Sequence, residues 1–307
     1  MKIAGFVLWV LFLVVSVSAD PSFPVTVRDA WGADLTLVRV PKAIVSLTLT
    51  TDELLFDLVD PGRIAAIEAF AIDPGISNVA GAAKKVPQVS TDKERLLTLG
   101  ADLVLVADWK EKDFVQSLRD AKVPVFVVHS PNDFPELRQA IGQLAALVGE
   151  PARGRALVAR IDRRLAAVAA GWKSGADRPT VLSYSFDGST YGRGTSFDAL
   201  VDQAGLVNAA TRAGLVGWPR LSQEQVLALD PDFIVLPSWS WDGRDDPQRF
   251  LARFLTDPVF AGLKAVKNRR VVVLPDRHLQ STSQYMVDGV EDLARLVQRP
   301  GPGDTKP

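Results

Sequence analysis

Compact apolar runs alternate with stretches whose apolar positions recur every three or four residues, and this rhythm covers most of the chain. Residues 43–47 (AIVSL) read as a buried strand, and residues 50–58, with Leu54, Leu55 and Leu58 on one face, as the helix after it. The run at 64–67 predicts a second strand, residues 113–120 a helix, and 123–128 a further strand. Ahead of these, residues 24–40 alternate weakly around Trp31 and Gly32, which predicts a small hairpin. Strand and helix in repeated alternation predict mainly parallel sheets covered by helices.

Two helical patterns then follow each other directly. Phe134, Leu137, Ile141, Leu144 and Val148 step by three and four, as do Leu157, Ile161, Leu165, Val168 and Trp172. Gly149 suits a helix end and Pro151 a first turn. A helix over 151–172 would run about 33 Å at the usual rise per residue, long enough to cross between two lobes. The strand–helix rhythm restarts at 180–184 and continues through a helix at 197–204, a strand at 271–274 and a helix at 285–297.

A repeat supports two lobes. Residues 94–109 (ERLLTLGADLVLVADW) match residues 224–239 (EQVLALDPDFIVLPSW) at Glu94/Glu224, Leu97/Leu227, Leu99/Leu229, Asp102/Asp232 and Trp109/Trp239. Each copy opens a helix with an acid and ends a buried strand beside an indole. The expected fold is α/β, with two Rossmann-like lobes (20–148 and 176–299), each with a mainly parallel central sheet. One long helix (149–175) joins them. Ligands of open α/β sheets sit beyond the carboxyl ends of the strands, so facing lobes make a cleft suited to a small molecule.

At 307 residues the chain can bury one large core or two modest ones. Its apolar (47%) and charged (23%) fractions are those of an ordinary soluble protein. A formal net charge of −1, without a basic run, argues against nucleic acid and anionic membrane surfaces as partners. Lys2, the apolar stretch 3–15 and the small residues Val17 and Ala19 read as a signal peptide over 1–19. Cysteine is absent, which excludes disulfides, thiolate metal ligands and a lipid-anchoring cysteine. A soluble periplasmic monomer is expected, with a disordered Pro/Gly-rich tail at 300–307.

Catalytic chemistry is sparse. Only two histidines occur, His129 at a strand end and His278 in a loop, too few to suggest a metal site. There is no G-x-S-x-G elbow. The glycine-rich GSTYGRG at 188–194 lacks the ending of a phosphate-binding loop. It reads instead as a loop carrying Tyr191 and Arg193 towards the cleft. Trp109, Tyr184, Phe186, Tyr191, Trp218, Trp239 and Trp241 fall at or after predicted strand ends. Rings there suit a large, partly apolar ligand, although any one of them could pack a loop. No catalytic residue, cofactor or metal ligand is assigned. Glu94 and Glu224 have two readings: Thr91-x-x-Glu94 fits a capping box, while matched acids on two lobes also fit docking.

The chain resembles the substrate-binding proteins of bacterial ABC importers for cobalamin and ferric siderophores. The resemblance rests on PKAIVSLTLTTDELLFDLVDPGRIAAI, VPQVSTDKERLLTLGADLVLV, GRGTSFDALVDQAGLVNAA, WPRLSQEQVLALDPDFIVL and LKAVKNRRVVVLP, and covers residues 24–297. Leu49-Thr50 stands where the family often has Pro-Ser, and Asp52 where Thr is frequent; both lie in the first cleft-facing loop. The resemblance implies little hinge motion and no catalysis. It also implies that Glu94 and Glu224 meet arginines of the membrane permease. Arg193 and Arg277, in loops of the second lobe, favour an anionic ferric siderophore as ligand, with cobalamin or haem as alternatives. An exported chelatase-like enzyme and a periplasmic sensor domain are the readings from other classes.

Overall fold

The computed structural model describes residues 23–172 and 177–298. The expected signal peptide, the tail from 300 and the end of the expected linking segment (173–175) lie outside the described residues.

A hairpin opens the chain, β1 (Val25–Arg28) against β2 (Asp34–Leu37). Five strands follow: β3 (Ile44–Ser46), β4 (Ile64–Glu68), β5 (Gln88–Val89), β6 (Leu103–Ala107) and β7 (Val125–Val128). They form a parallel sheet in the order β5-β4-β3-β6-β7. The second sheet holds β8 (Thr180–Ser183), β9 (Val207–Asn208), β10 (Phe233–Leu236) and β11 (Val271–Val273), all parallel, in the order β11-β10-β8-β9. The two repeat copies supply β6 and β10, which occupy equivalent places beside β3 and β8. The order reverses at β3/β6 in one sheet and at β8/β10 in the other.

Every residue of β6 and β10 is buried, as expected for strands covered on both faces. Side chains of a strand alternate between faces, and that alternation sorts three apolar clusters. Val45, Val104, Val106 and Val127 fill the outer face of the first sheet. Leu182, Ile234 and Leu236 fill the outer face of the second. Ile44, Leu103, Leu105, Phe126, Val181, Phe233 and Val235 all point into one cluster common to both lobes.

Helix Pro151–Ala170 runs through that common core, burying Leu157, Ile161 and Leu165. Gly154 lets it cross helix Phe134–Leu147 closely, since a Cβ there would lie 2.5 Å from the Cβ of Ala145. Its arginines grip both lobes: Arg160 donates to Asp57 at 2.6 Å, and Arg164 to Asp288 at 2.6 Å and Glu291 at 2.8 Å.

A buried polar seam reinforces the junction. Ser283 Oγ donates to Glu53 Oε2. The side-chain amide of Gln284 donates to the Glu53 carbonyl at 2.8 Å and to Asp57 at 3.0 Å. The Thr50 and Thr282 hydroxyls meet at 2.6 Å, and Asn78 donates to the Arg277 carbonyl at 2.7 Å. Glu53, Ser283 and Gln284 are buried, where an unpaired polar group is costly, so the network resists separation.

Asp52, next to Glu53 on helix Leu49–Leu58, is fully buried, and neither carboxyl oxygen has a hydrogen-bond partner. Burial pushes its pKa well above the ordinary carboxyl range, and the nearby charge of Glu68 adds to the shift. The folded protein thus keeps a proton that the unfolded chain releases above about pH 4. This group costs stability progressively as pH rises from there towards its folded pKa. Asp52→Asn removes that cost. The melting temperature of Asp52→Asn relative to the wild type should therefore climb between pH 4 and pH 8. A difference that is flat or falling with pH would contradict a protonated Asp52.

Candidate functional site

A cavity of about 670 Å³ opens where the carboxyl ends of the two sheets face each other. The first lobe contributes Thr48, Leu49 and Thr50 after β3, Glu68 and Phe70 at the end of β4, Asp108 and Trp109 after β6, and His129, Ser130 and Asn132 after β7. The second contributes Tyr191, Ser196, Trp218, Trp239 and Trp241, with Gln280 and Thr282 from the segment after β11. Short, buried strands hold the ends of these loops still, so the wall is set by the sheets rather than by the loops alone.

The repeat places Trp109 and Trp239 alike, but they are held differently. Trp109 is 63% exposed, with the Lys110 ammonium 4.7 Å from its ring centroid. Trp239 reaches across the cleft, its indole N–H donating to Asp73 at 2.9 Å. The amides of Ser238 and Trp239 both donate to the buried carboxylate of Asp276, which fixes the base of that loop. Gly75 lies against the indole, where an added Cβ would stand 2.3 Å from Trp239 Cδ1. Phe70 lies tilted against Trp241, with ring centroids 4.7 Å apart, and meets Trp239 edge-on, so rings from both lobes close one flank. Trp218 and Trp241 remain 65% and 73% exposed, an apolar area that a ligand would cover.

The polar groups gather on the first-lobe wall. His129 Nδ1 lies 2.6 Å from Asp108, and Nε2 lies 3.2 Å from Glu136. Burial works against a charged ring, but Asp108 and Glu136 outweigh it and raise its pKa. Both nitrogens face carboxylates, an arrangement that favours the doubly protonated ring. Glu68 has no side-chain partner among the described residues; its one donor is the Leu49 backbone amide. Burial raises its pKa, opposed by Lys110. Lys110 itself lines an adjoining surface hollow, which shares Glu68 and Phe70 with the cavity wall. No lysine or arginine is among the described residues lining the cavity.

Of the residues expected at the cleft, Trp109, Tyr191, Trp218, Trp239 and Trp241 line it. Three do not, and each corrects the expectation. Tyr184 is buried among Phe250, Phe254 and Phe260, because it turns into the core where β8 still bonds to β10 through its amide. Arg193 is exposed and its backbone pairs with Leu215 and Gly217, which holds it outside the cavity. Arg277 donates to the Pro74 carbonyl at 3.2 Å and lines a different cavity together with His278, behind the junction. His278 is paired with Asp292 at 2.6 Å. Sequence reasoning missed Glu68, Phe70, Asp108, Gln280 and Thr282. The first three directly follow or end apolar runs and could have been found by that rule; the last two carry no such signal.

Glu94 is not a cap. Asp92 caps its helix, accepting from the amides of Glu94 and Arg95, and Thr91 stands outside. Ser222 caps the other helix in a capping box with Gln225. Glu94 and Glu224 therefore occupy the same second helical position, both exposed and neither needed for capping. Among the described residues no group of three or more potential ligands gathers as a metal site.

A family profile described as a periplasmic binding protein matches residues 44–278. The cobalamin-binding protein of Halobacterium salinarum is 27% identical over 278 residues, 90% of this chain and 74% of that protein. The ABC transporter substrate-binding lipoprotein YvrC of Bacillus subtilis is 24% identical, spanning 90% of this chain and 86% of its own. Among solved structures, the periplasmic haem-binding protein RhuT from Roseiflexus sp. RS-1 matches with a TM-score of 0.70 at 25% identity, over 83% of this chain and 97% of RhuT. The family profile runs from the start of β3 to beyond β11, and so takes in both sheets and both sides of the cleft. The chain belongs to the periplasmic binding protein family, the substrate-binding rather than catalytic components of ABC importers.

Proposed function

We propose that this cleft captures a bulky metal–organic complex without net negative charge, in first place a cobalamin-type corrinoid, and delivers it to the permease of an ABC importer. The observation that carries this reading is the wall itself: six aromatic residues (Phe70, Trp109, Tyr191, Trp218, Trp239 and Trp241) and no described lysine or arginine. Rings accept a large planar or partly apolar body, and an anion would meet no described lysine or arginine, only a His129 ring already held between Asp108 and Glu136. The case for an anionic ferric siderophore rested on Arg193 and Arg277, and both stand elsewhere. The similarity to a cobalamin-binding protein points the same way. A neutral ferric hydroxamate is the second reading, favoured by the same lack of cationic groups.

Haem fits less well. Its carboxylates would find no lysine or arginine on the wall, and both nitrogens of His129 are engaged. Burial pushes the Tyr191 phenol up, away from the phenolate that binds iron. The enzymatic reading is less favoured, because among the described residues His129 is held by Asp108 and Glu136 and no hydroxyl of the wall is hydrogen-bonded to it. In this proposal the chain acts in the periplasm as a soluble monomer after loss of residues 1–19.

Glu94 and Glu224 would orient the loaded protein on the permease, one acid from each lobe. Matched exposed acids steer encounter and set register more than they hold a complex together.

Isothermal titration with cyanocobalamin, ferrichrome, ferric enterobactin and haemin tests the ligand class. Cyanocobalamin or ferrichrome should bind with a micromolar or tighter Kd, and the trianionic enterobactin complex should not. Preference for the anionic complex would contradict the reading. A Glu94→Ala/Glu224→Ala double variant should keep its ligand affinity while uptake into permease-containing vesicles drops severalfold. A collapse of ligand affinity would instead place these acids in the structure or the ligand site.

A further inference from the structure

The cavity is two-faced. Indoles dominate the second-lobe wall, while the first lobe presents the charged groups. Two carboxylates line that polar side, and they differ in one respect. Asp108 is spoken for by the His129 ring at 2.6 Å. Glu68, at the end of β4, has no side-chain partner among the described residues and is half-buried at the wall. The Leu49 amide, at the start of the neighbouring helix, is its one backbone donor, and no side chain pairs with it, so acceptor capacity remains for the cavity. Asp52 lies fully buried nearby with no hydrogen-bond partner, and burial pushes its pKa well up. Lys110 offsets part of the charge of Glu68 from the side, but its ammonium sits over the Trp109 ring and outside the cavity lining. A half-buried acceptor without its full set of partners is costly unless a ligand or water satisfies it.

We propose that Glu68 determines which complexes the cleft admits, accepting hydrogen bonds from N–H or O–H groups on the rim of the bound complex and excluding complexes whose rim is anionic. This rests on the capture reading above and refines it to a class: ligands whose periphery carries amide or hydroxyl donors rather than carboxylates or phenolates. The device is selective by repulsion as well as by attraction. A neutral amide rim gains a hydrogen bond, whereas a carboxylate rim meets a like charge at the wall. The aromatic wall alone would not separate a corrinoid from a porphyrin, because each offers a broad flat body. Asp108 should contribute less, since His129 already faces it.

The test uses two flat probes that differ in rim charge, cyanocobalamin with its amides and haemin with its two carboxylates. The readout is the ratio of their dissociation constants for the full chain and for two variants. Glu68→Gln keeps the shape and removes the charge. It should shift the ratio towards haemin by roughly tenfold, with an unchanged melting temperature showing that the fold is intact. Asp108→Asn should shift it less. If the wild type binds cyanocobalamin and Glu68→Gln leaves the ratio unchanged, the role of Glu68 is overturned while the capture reading stands. If Asp108→Asn produces the larger shift, the selectivity belongs to Asp108 and the proposal fails. If the wild type binds neither probe, selection of corrinoid over porphyrin by Glu68 is overturned, and the capture reading falls with it only if ferrichrome does not bind either.

Discussion

The junction between the lobes rests on a single apolar core shared by both sheets. Ile44, Leu103 and Leu105 of one sheet and Val181, Phe233 and Val235 of the other point into the same cluster, threaded by helix Pro151–Ala170. Opening the cleft by rotating the lobes would expose that surface, and apolar burial contributes about 25 cal/mol per Å². The same rotation would break the buried Glu53–Ser283–Gln284 network. Hydrophobic and polar terms thus act in the same direction. The cavity is therefore a property of the folded chain rather than of a closing motion.

A pre-formed cleft changes what the wall has to do. Ordering costs are met in folding, so recognition depends on complementarity at capture. The exposed indoles Trp109, Trp218 and Trp241 supply contact area, and Trp239 is committed to Asp73 and Gly75 across the gap. The polar side is organised by pairing: Asp108, His129 and Glu136 face one another. Glu68 is the carboxylate there without a side-chain partner among the described residues. A wall of this kind selects by shape and by its lack of lysine and arginine among the described residues, and it favours neutral complexes over the anionic chelates that arginines would have drawn in.

Much of the architecture was legible in the pattern of apolar residues. The runs at β3, β6, β7, β8 and β10 are dense and buried, and the consecutive helices Phe134–Leu147 and Pro151–Ala170 appeared at their full spacing. The repeat identified β6 and β10 as counterparts. Legibility failed where a side chain's role depends on a partner far along the chain. Trp109 and Trp239 are indistinguishable in sequence, yet only Trp239 finds Asp73. Arg277 looked like a cleft cation, but its neighbour Pro74 turns it into a brace behind the junction. Tyr184 follows a strand, as the cleft rings do, but lies where β8 still pairs, so it faces Phe254 and Phe260. Asp92 took the cap that Thr91 seemed to offer, which freed Glu94 to match Glu224.

The rigidity of the junction is open to direct measurement, and the lack of native cysteine makes labelling simple. Spin labels on cysteines introduced at the exposed positions Thr98 and Ala228, one in each lobe, report the separation of the lobes by pulsed dipolar spectroscopy. The account predicts one narrow distance distribution that keeps its centre when cyanocobalamin or ferrichrome saturates the protein. A broad distribution without ligand, or a shift of several ångström on binding, would show that the shared core does not hold the cleft.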